Sequence, residues 1–125
     1  MALPAADAML APVTAIDGFQ LASLIDASTG MVLASAQGRE DISLTKAAAG
    51  AADIAGVLGM LTGELAEGDE LEDVMVTFDK HFHLIRMVRP ANLQTVILLV
   101  VLDRARANLA MARRAIRNFC ASLAA

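Results

Sequence analysis

The sequence contains no tryptophan and no tyrosine, and its four phenylalanines bring the aromatic share to only 3% of 125 residues. That scarcity argues against ligand pockets built on aromatic stacking and against platforms on which unpaired bases stack. A single cysteine, Cys120, excludes an internal disulfide and a multi-cysteine metal site. It reads as a small buried hydrophobe on a helix. No stretch reaches the roughly 18 to 20 uninterrupted apolar residues that span a bilayer. The most apolar run, residues 95–102, is strand-sized, and no membrane insertion is expected. The first 18 residues lack a basic start and are interrupted by Pro4, Asp7 and Pro12, so they do not read as a signal peptide. A cytoplasmic location is the default expectation.

Hydrophobic residues make up 57% of the chain. With so few aromatics, alanine and aliphatic side chains must fill the core. The apolar share exceeds that of ordinary soluble domains, and an oligomer that hides a face accounts for the excess. The length suits one domain over residues 1–125. The net charge of −4 hides an uneven distribution. Six acids and no base lie between Glu64 and Asp73; five arginines and no acid follow from Arg104 onward. Overall acidity and the missing aromatics speak against nucleic acid as a partner.

Along the chain, residues 1–15 read as a short leading helix cut by Pro12. Alternation over residues 19–26, the "ASTG" turn ending at Gly30 and the run "MVLAS" predict a β-hairpin. Asp41 or Ser43 caps a long helix over residues 44–65. Its residues Leu44, Ala47, Ala51, Ile54, Ala55, Leu58 and Leu65 share one stripe, which suits a sheet. A second side carries only Ala48, Ala49, Ala52, Gly56 and Gly59, and its charges fall on one narrow line. The helix is therefore expected to be buried twice, against its own sheet and against another helix; alanine's helix propensity is the plainer explanation of the same composition. Beyond the acidic loop, "LEDVMVTF", "HFHLIRMV" and "QTVILLVVL" predict three strands. The first of them, residues 71–78, reads as an edge, and residues 95–102 as a central strand covered on both faces. Asp103 is expected to cap the last helix, in which Ala105, Leu109, Ala112, Ile116, Phe119 and Leu123 share the sheet-facing stripe. Arg106, Arg113 and Arg117 line one flank, where solvation and the helix dipole explain much of their placement.

That element order, together with "IDGFQLASLIDASTGMVLAS", the alanine-rich middle helix and "VVLDRARANLAMARRAI", resembles the Roadblock/LC7 family in its short bacterial form. The resemblance covers residues 16–123. It implies an α+β fold: a five-stranded antiparallel sheet sandwiched between one long middle helix and the terminal helices. It also implies a homodimer or a heterodimer, of which the homodimer is expected here, in which the middle helix packs on its mate and the third strand extends the sheet. Carried onto this chain, that interface comprises Ala48, Ala52, Gly56 and Gly59 on the helix and Leu71, Val74 and Val76 on the strand. Asp73, Glu70 and Glu72 put like charges near the axis, which a base such as Lys46 or Lys80 would offset. By the same resemblance the protein is not an enzyme. It binds a Ras-like small GTPase as activator, localiser or assembly platform, in some systems beside a sensor kinase.

The residues themselves carry little catalytic signal. His81 and His83 lie two apart on one strand face, which could supply two ligands to a metal, but no Cys or third His stands nearby to complete the set. Ser23, Ser28 and Ser35 lack a signature for an orienting acid or an oxyanion hole. The glycines of "GAADIAGVLG" sit inside a helix and are followed by no Lys-Ser or Lys-Thr, so they form no phosphate loop. No catalytic residue, metal or cofactor is expected. Arg39, Arg106, Arg113 and Arg117 are the candidates for contacting a partner, with Arg39 or Arg106 as arginine finger should the partner's hydrolysis be accelerated in that way. The competing expectation is an adaptor or sensor-like module that takes a small ligand or a signalling kinase and no GTPase.

Overall fold

The computed structural model describes residues 7–39, 41–61, 67–68, 70–90 and 94–124. Strands β1 (Phe19–Asp26), β2 (Val32–Gln37), β3 (Asp73–Thr77), β4 (His81–Val88) and β5 (Val96–Asp103) form one antiparallel sheet in the order β2-β1-β5-β4-β3. Helices α1 (Ala11–Thr14) and α3 (Leu109–Ala124) cover one face, and α2 (Leu44–Gly59) covers the other. This is the expected α+β sandwich.

The sheet has a core on each face because its central strands are apolar at both parities. On β5, Leu98, Val100 and Leu102 pack towards α1 and α3, while Ile97, Leu99 and Val101 pack towards α2. β1 is buried just as thoroughly, so its polar Ser23 must be satisfied internally; its hydroxyl donates to the Ala34 carbonyl at 3.3 Å. The β1–β2 hairpin turns at Gly30, whose φ of 76° lies where a side chain would be strained. Gly18, with φ 84°, is needed for another reason. A Cβ there would sit 3.1 Å from the Asp103 carbonyl oxygen, at the point where β1 closes on the end of β5.

Local chemistry sets the helix ends, where one open alternative is decided and other expectations change. Pro12 stands in the first turn of α1 and opens that helix as well as interrupting what precedes it. Ser43, not Asp41, caps α2 by accepting the Lys46 N–H at 3.3 Å, because Asp41 is engaged by Arg39. α2 ends at Gly59, short of the expected residue 65; Leu65 and its neighbours 62–66 lie outside the described residues. Asp103 does not cap the last helix. It remains in the sheet opposite His81, and its carboxylate accepts the Ala105 N–H at 3.0 Å to close a turn over residues 104–106. Asn108 takes the cap, accepting the Met111 N–H at 3.2 Å. Ala105 is accordingly exposed and leaves the sheet-facing stripe, which consists of Ala112, Ile116, Phe119 and Cys120 with Leu123 at its end.

Candidate functional site

The outward side of α2 is the most unusual surface of the molecule. Lys46, Ala49, Gly50, Asp53, Gly56, Val57 and Met60 follow the three-and-four spacing of one helical stripe and are all exposed. Val57 retains 65% and Met60 75% of its free surface, with Leu61 beside them. A Cβ added at Gly50 or at Gly56 would meet no atom within 4 Å, so this face is flat and open. Ala48 must be removed from the expected interface: it is only 2% exposed and packs with Ala51 and Ala55 on the sheet. Ala52 is half-buried against the same core, and Gly59 faces the Met87 side chain. The small residues of α2 therefore do two jobs, letting the helix lie close to its own sheet and leaving its back bare. Sequence reasoning missed Val57 and Met60, although their spacing from Asp53 and Gly56 carried the signal.

β3 is an edge of the sheet, as expected, over a shorter span. Val74 and Val76 turn towards α2, half-buried, while Leu71 precedes the strand. A shallow groove of about 160 Å³ runs between α2 and β3, lined by Gly50, Ile54, Val76, Phe78, His83 and Ile85 among others. Phe78 is half exposed and tilts against the His83 ring at 4.7 Å. Burial, with the neighbouring His81, holds the His83 imidazole below the ordinary histidine range. Among the described residues no three His, Cys, Asp or Glu side chains converge as a metal site would require.

On the opposite face, arginines answer the acids around β3. Arg113 of α3 donates to both oxygens of Asp73, at 2.9 and 3.2 Å. Glu72 stands 3.5 Å from Arg86 and 3.8 Å from Arg117, and Glu70 stands 3.7 Å from Arg89. The offset expected from Lys46 or Lys80 is thus supplied by arginines, since the side chain of Asp73 points towards α3. Of the four candidate arginines, Arg113 and Arg117 brace the last helix against the edge strand. Arg39 is clamped on Asp41 through two bonds of 2.9 and 3.1 Å, which raises the guanidinium's affinity for its proton and lowers that of the carboxyl. Arg106 lies in the turn before α3, exposed, and forms no ion pair among the described residues. The structure does not bring the four together.

A polar cleft of about 710 Å³ opens at the end of the sheet where β1 begins and β5 ends. Gln20, Arg39, Asp41, Asp79, Lys80, His81, Asp103, Arg104 and Ala105 line it, gathered from four loops and strand ends. Cys120 lies inside α3's buried stripe, where burial, opposed more weakly by the Arg86 charge, pushes its thiol up to about 11.

No family model matches the sequence, and neither does any curated protein sequence. Solved structures do match. MglB of Myxococcus xanthus superposes with a TM-score of 0.78 at 21% identity, over 94% of this chain and 84% of that one. The gliding protein MglB of Thermus thermophilus gives 0.78 at 20% identity, over 95% and 85%. A Roadblock/LC7 domain from Streptomyces avermitilis gives 0.73 at 19%, over 98% and 94%. The chain has the Roadblock/LC7 fold. In a Roadblock/LC7 sandwich, α2 and β3 are the elements that the sequence resemblance assigned to pairing, and in this chain they flank the same groove and carry the bare helix face.

Proposed function

We propose that the chain is a homodimeric, cytoplasmic regulator or scaffold for a Ras-like small GTPase and has no catalytic activity of its own. The observation that carries the reading is the back of α2. A 16-residue helix with exposed Val57 and Met60, two open glycines and few charges is what a second helix needs for close approach. Pairing through this face and through the β3 edge would join two sheets and leave the α1/α3 faces, with their arginines, pointing outward. The GTPase enters through the Roadblock/LC7 resemblance. In such a complex the dimer holds the partner's own switch loops in a competent geometry, a role that suits a broad rigid surface. An arginine finger fits less well, because Arg39 is already clamped on Asp41.

The reading is tested by affinity capture from the source lysate, run in parallel with a non-hydrolysable GTP analogue and with GDP. A small GTPase enriched in one nucleotide state is the expected result; its absence from both sinks the proposal. If hydrolysis is stimulated, Arg39→Ala and Arg106→Ala each leave most of the stimulation intact. A loss of about a thousandfold in either would restore the finger mechanism. A second reading, an adaptor or sensor-like module serving a small ligand or a signalling kinase, is favoured by one observation: the polar cleft at the end of the sheet.

A further inference from the structure

The cleft has a feature that ordinary loop packing does not explain. Gln20 lies on its floor, only 5% exposed, and its Oε1 finds no hydrogen-bond partner among the described residues. Leaving a buried amide oxygen unpaired is costly, and folded proteins rarely tolerate it without a ligand or an ordered water. The position is also distorted. Between β1 and β5 the register moves from Phe19 opposite Leu102 to Leu21 opposite Val101, so Gln20 is the extra residue of a β-bulge. Bulges re-aim single side chains, often beside functional sites. The Gln20 carbonyl is already engaged, accepting the N–H groups of Gly38, at 2.8 Å, and Arg39, at 3.2 Å. The side-chain oxygen is left for something else.

The remaining lining narrows the chemistry. Three cations (Arg39, Lys80, Arg104) face three carboxylates (Asp41, Asp79, Asp103), so the cleft does not select one sign of charge. Arg39 and Asp41 neutralise each other. The Arg104 guanidinium donates to the Phe78 carbonyl at 3.1 Å and lies over the Phe82 ring. Asp103 spends one oxygen on the Ala105 N–H. Among the described residues the Lys80 ammonium has no partner, Arg104 keeps its charge and further N–H groups, His81 stands beside them, and Gln20 Oε1, the second oxygen of Asp103 and Asp79 remain as acceptors. Such a set can pair with an ammonium and with an anion on one ligand.

We infer that this cleft binds a small zwitterion of amino-acid chemistry, from a free amino acid to a short peptide, with its ammonium on Gln20 and Asp103 and its carboxylate on Lys80. The volume suits a ligand of that size range. The site is built within one chain and is independent of the GTPase reading.

The experiment follows the Gln20 side-chain amide by ¹⁵N NMR, and the melting temperature, while the full chain is titrated with the free amino acids, glycylglycine and triglycine. Each is used up to about 10 mM, where even a millimolar site produces a shift. Acetate and methylamine serve as single-charge controls. At least one zwitterion should move the amide resonance saturably and raise the melting temperature, and the controls should not. Lys80→Ala, an exposed change that leaves folding untouched, should weaken that binding about tenfold, the worth of one charge-assisted contact. Gln20→Leu should abolish it while the free protein melts no lower than before. The inference is overturned if no zwitterion moves the resonance, if either control does as much, if both variants bind unchanged, or if water alone is found on the amide.

Discussion

α2 and α3 are each 16 residues long and lie on opposite faces of one sheet, yet they are finished differently. α3 buries Ala112, Ile116, Phe119 and Cys120, and its back carries Arg113, Arg114, Arg117 and Asn118. α2 buries only Ala48, Ala51 and Ala55, and its back carries glycines, Val57 and Met60. The first is an amphipathic helix whose back is mostly charged or polar, with Met111 exposed in its first turn. The second packs mainly small residues on its sheet, with Leu44 and Ile54 at the margins, and shows Val57 and Met60 to solvent, surface that another layer would cover with a gain. The contrast teaches that helix content and length say little about role; the side turned away from the core is where role is written.

The largest effect that would break this comparison concerns assembly. Gly56→Leu is accommodated without conflict in a single chain, since a Cβ there meets nothing. It should nevertheless weaken the proposed self-association by about 2 kcal/mol or more. Light scattering should then report 13.1 kDa in place of twice that mass. Arg114→Leu on the back of α3 should leave the mass unchanged; equal behaviour of the two variants would erase the distinction.

Stability should show the inverse asymmetry. Phe119→Ala in α3 removes a large buried ring and should cost about 3 to 5 kcal/mol in denaturant unfolding. Ala51→Gly in α2 should cost only about 1 kcal/mol, through helix propensity.

Much of this architecture was legible in the sequence because it rests on periodicity. Alternation over residues 19–26 marked β1, an uninterrupted apolar run marked β5 as central, and Gly30 marked the first turn. What escaped was set by competition between neighbours. Asp103 and Asn108 are both good caps, and only the pairing of Asp103 with His81 decides for Asn108. Ala48 and Ala49 are indistinguishable as residues, and only the rotation of α2 on the sheet buries one of them. Gln20 could not be recognised from its own segment, because its bulge exists only against β5 and its cleft only where β1 meets the three distant segments around Arg39, Lys80 and Arg104.

Two smaller effects sharpen the contrast between the layers. Arg113→Ala should cost less than about 1 kcal/mol, because its ion pair with Asp73 is partly exposed and screened. A double-mutant cycle with Asp73→Asn isolates that coupling. On the α2 side, the depressed His83 means that the folded state binds fewer protons than the unfolded chain. Stability should therefore rise with pH through this range and decline as pH falls through about 6.5. His83→Phe should flatten that slope in melting temperature, and an unchanged slope would assign it to another group.

The strand order carries a consequence for how the chain reaches this shape. β1 lies between β2 and β5, and β5 follows the hairpin only after α2, β3 and β4. During synthesis the hairpin of β1 and β2 emerges long before its second neighbour exists. The segment "FQLASLID", buried on nearly every side in the finished sheet, must wait with one hydrogen-bonding edge unpaired. Pairings this distant slow folding and prolong exposure of sticky edges. The ribosome must deliver α2, β3, β4 and β5 before the centre of the sheet can close, so the interval most vulnerable to aggregation lasts until β5 arrives.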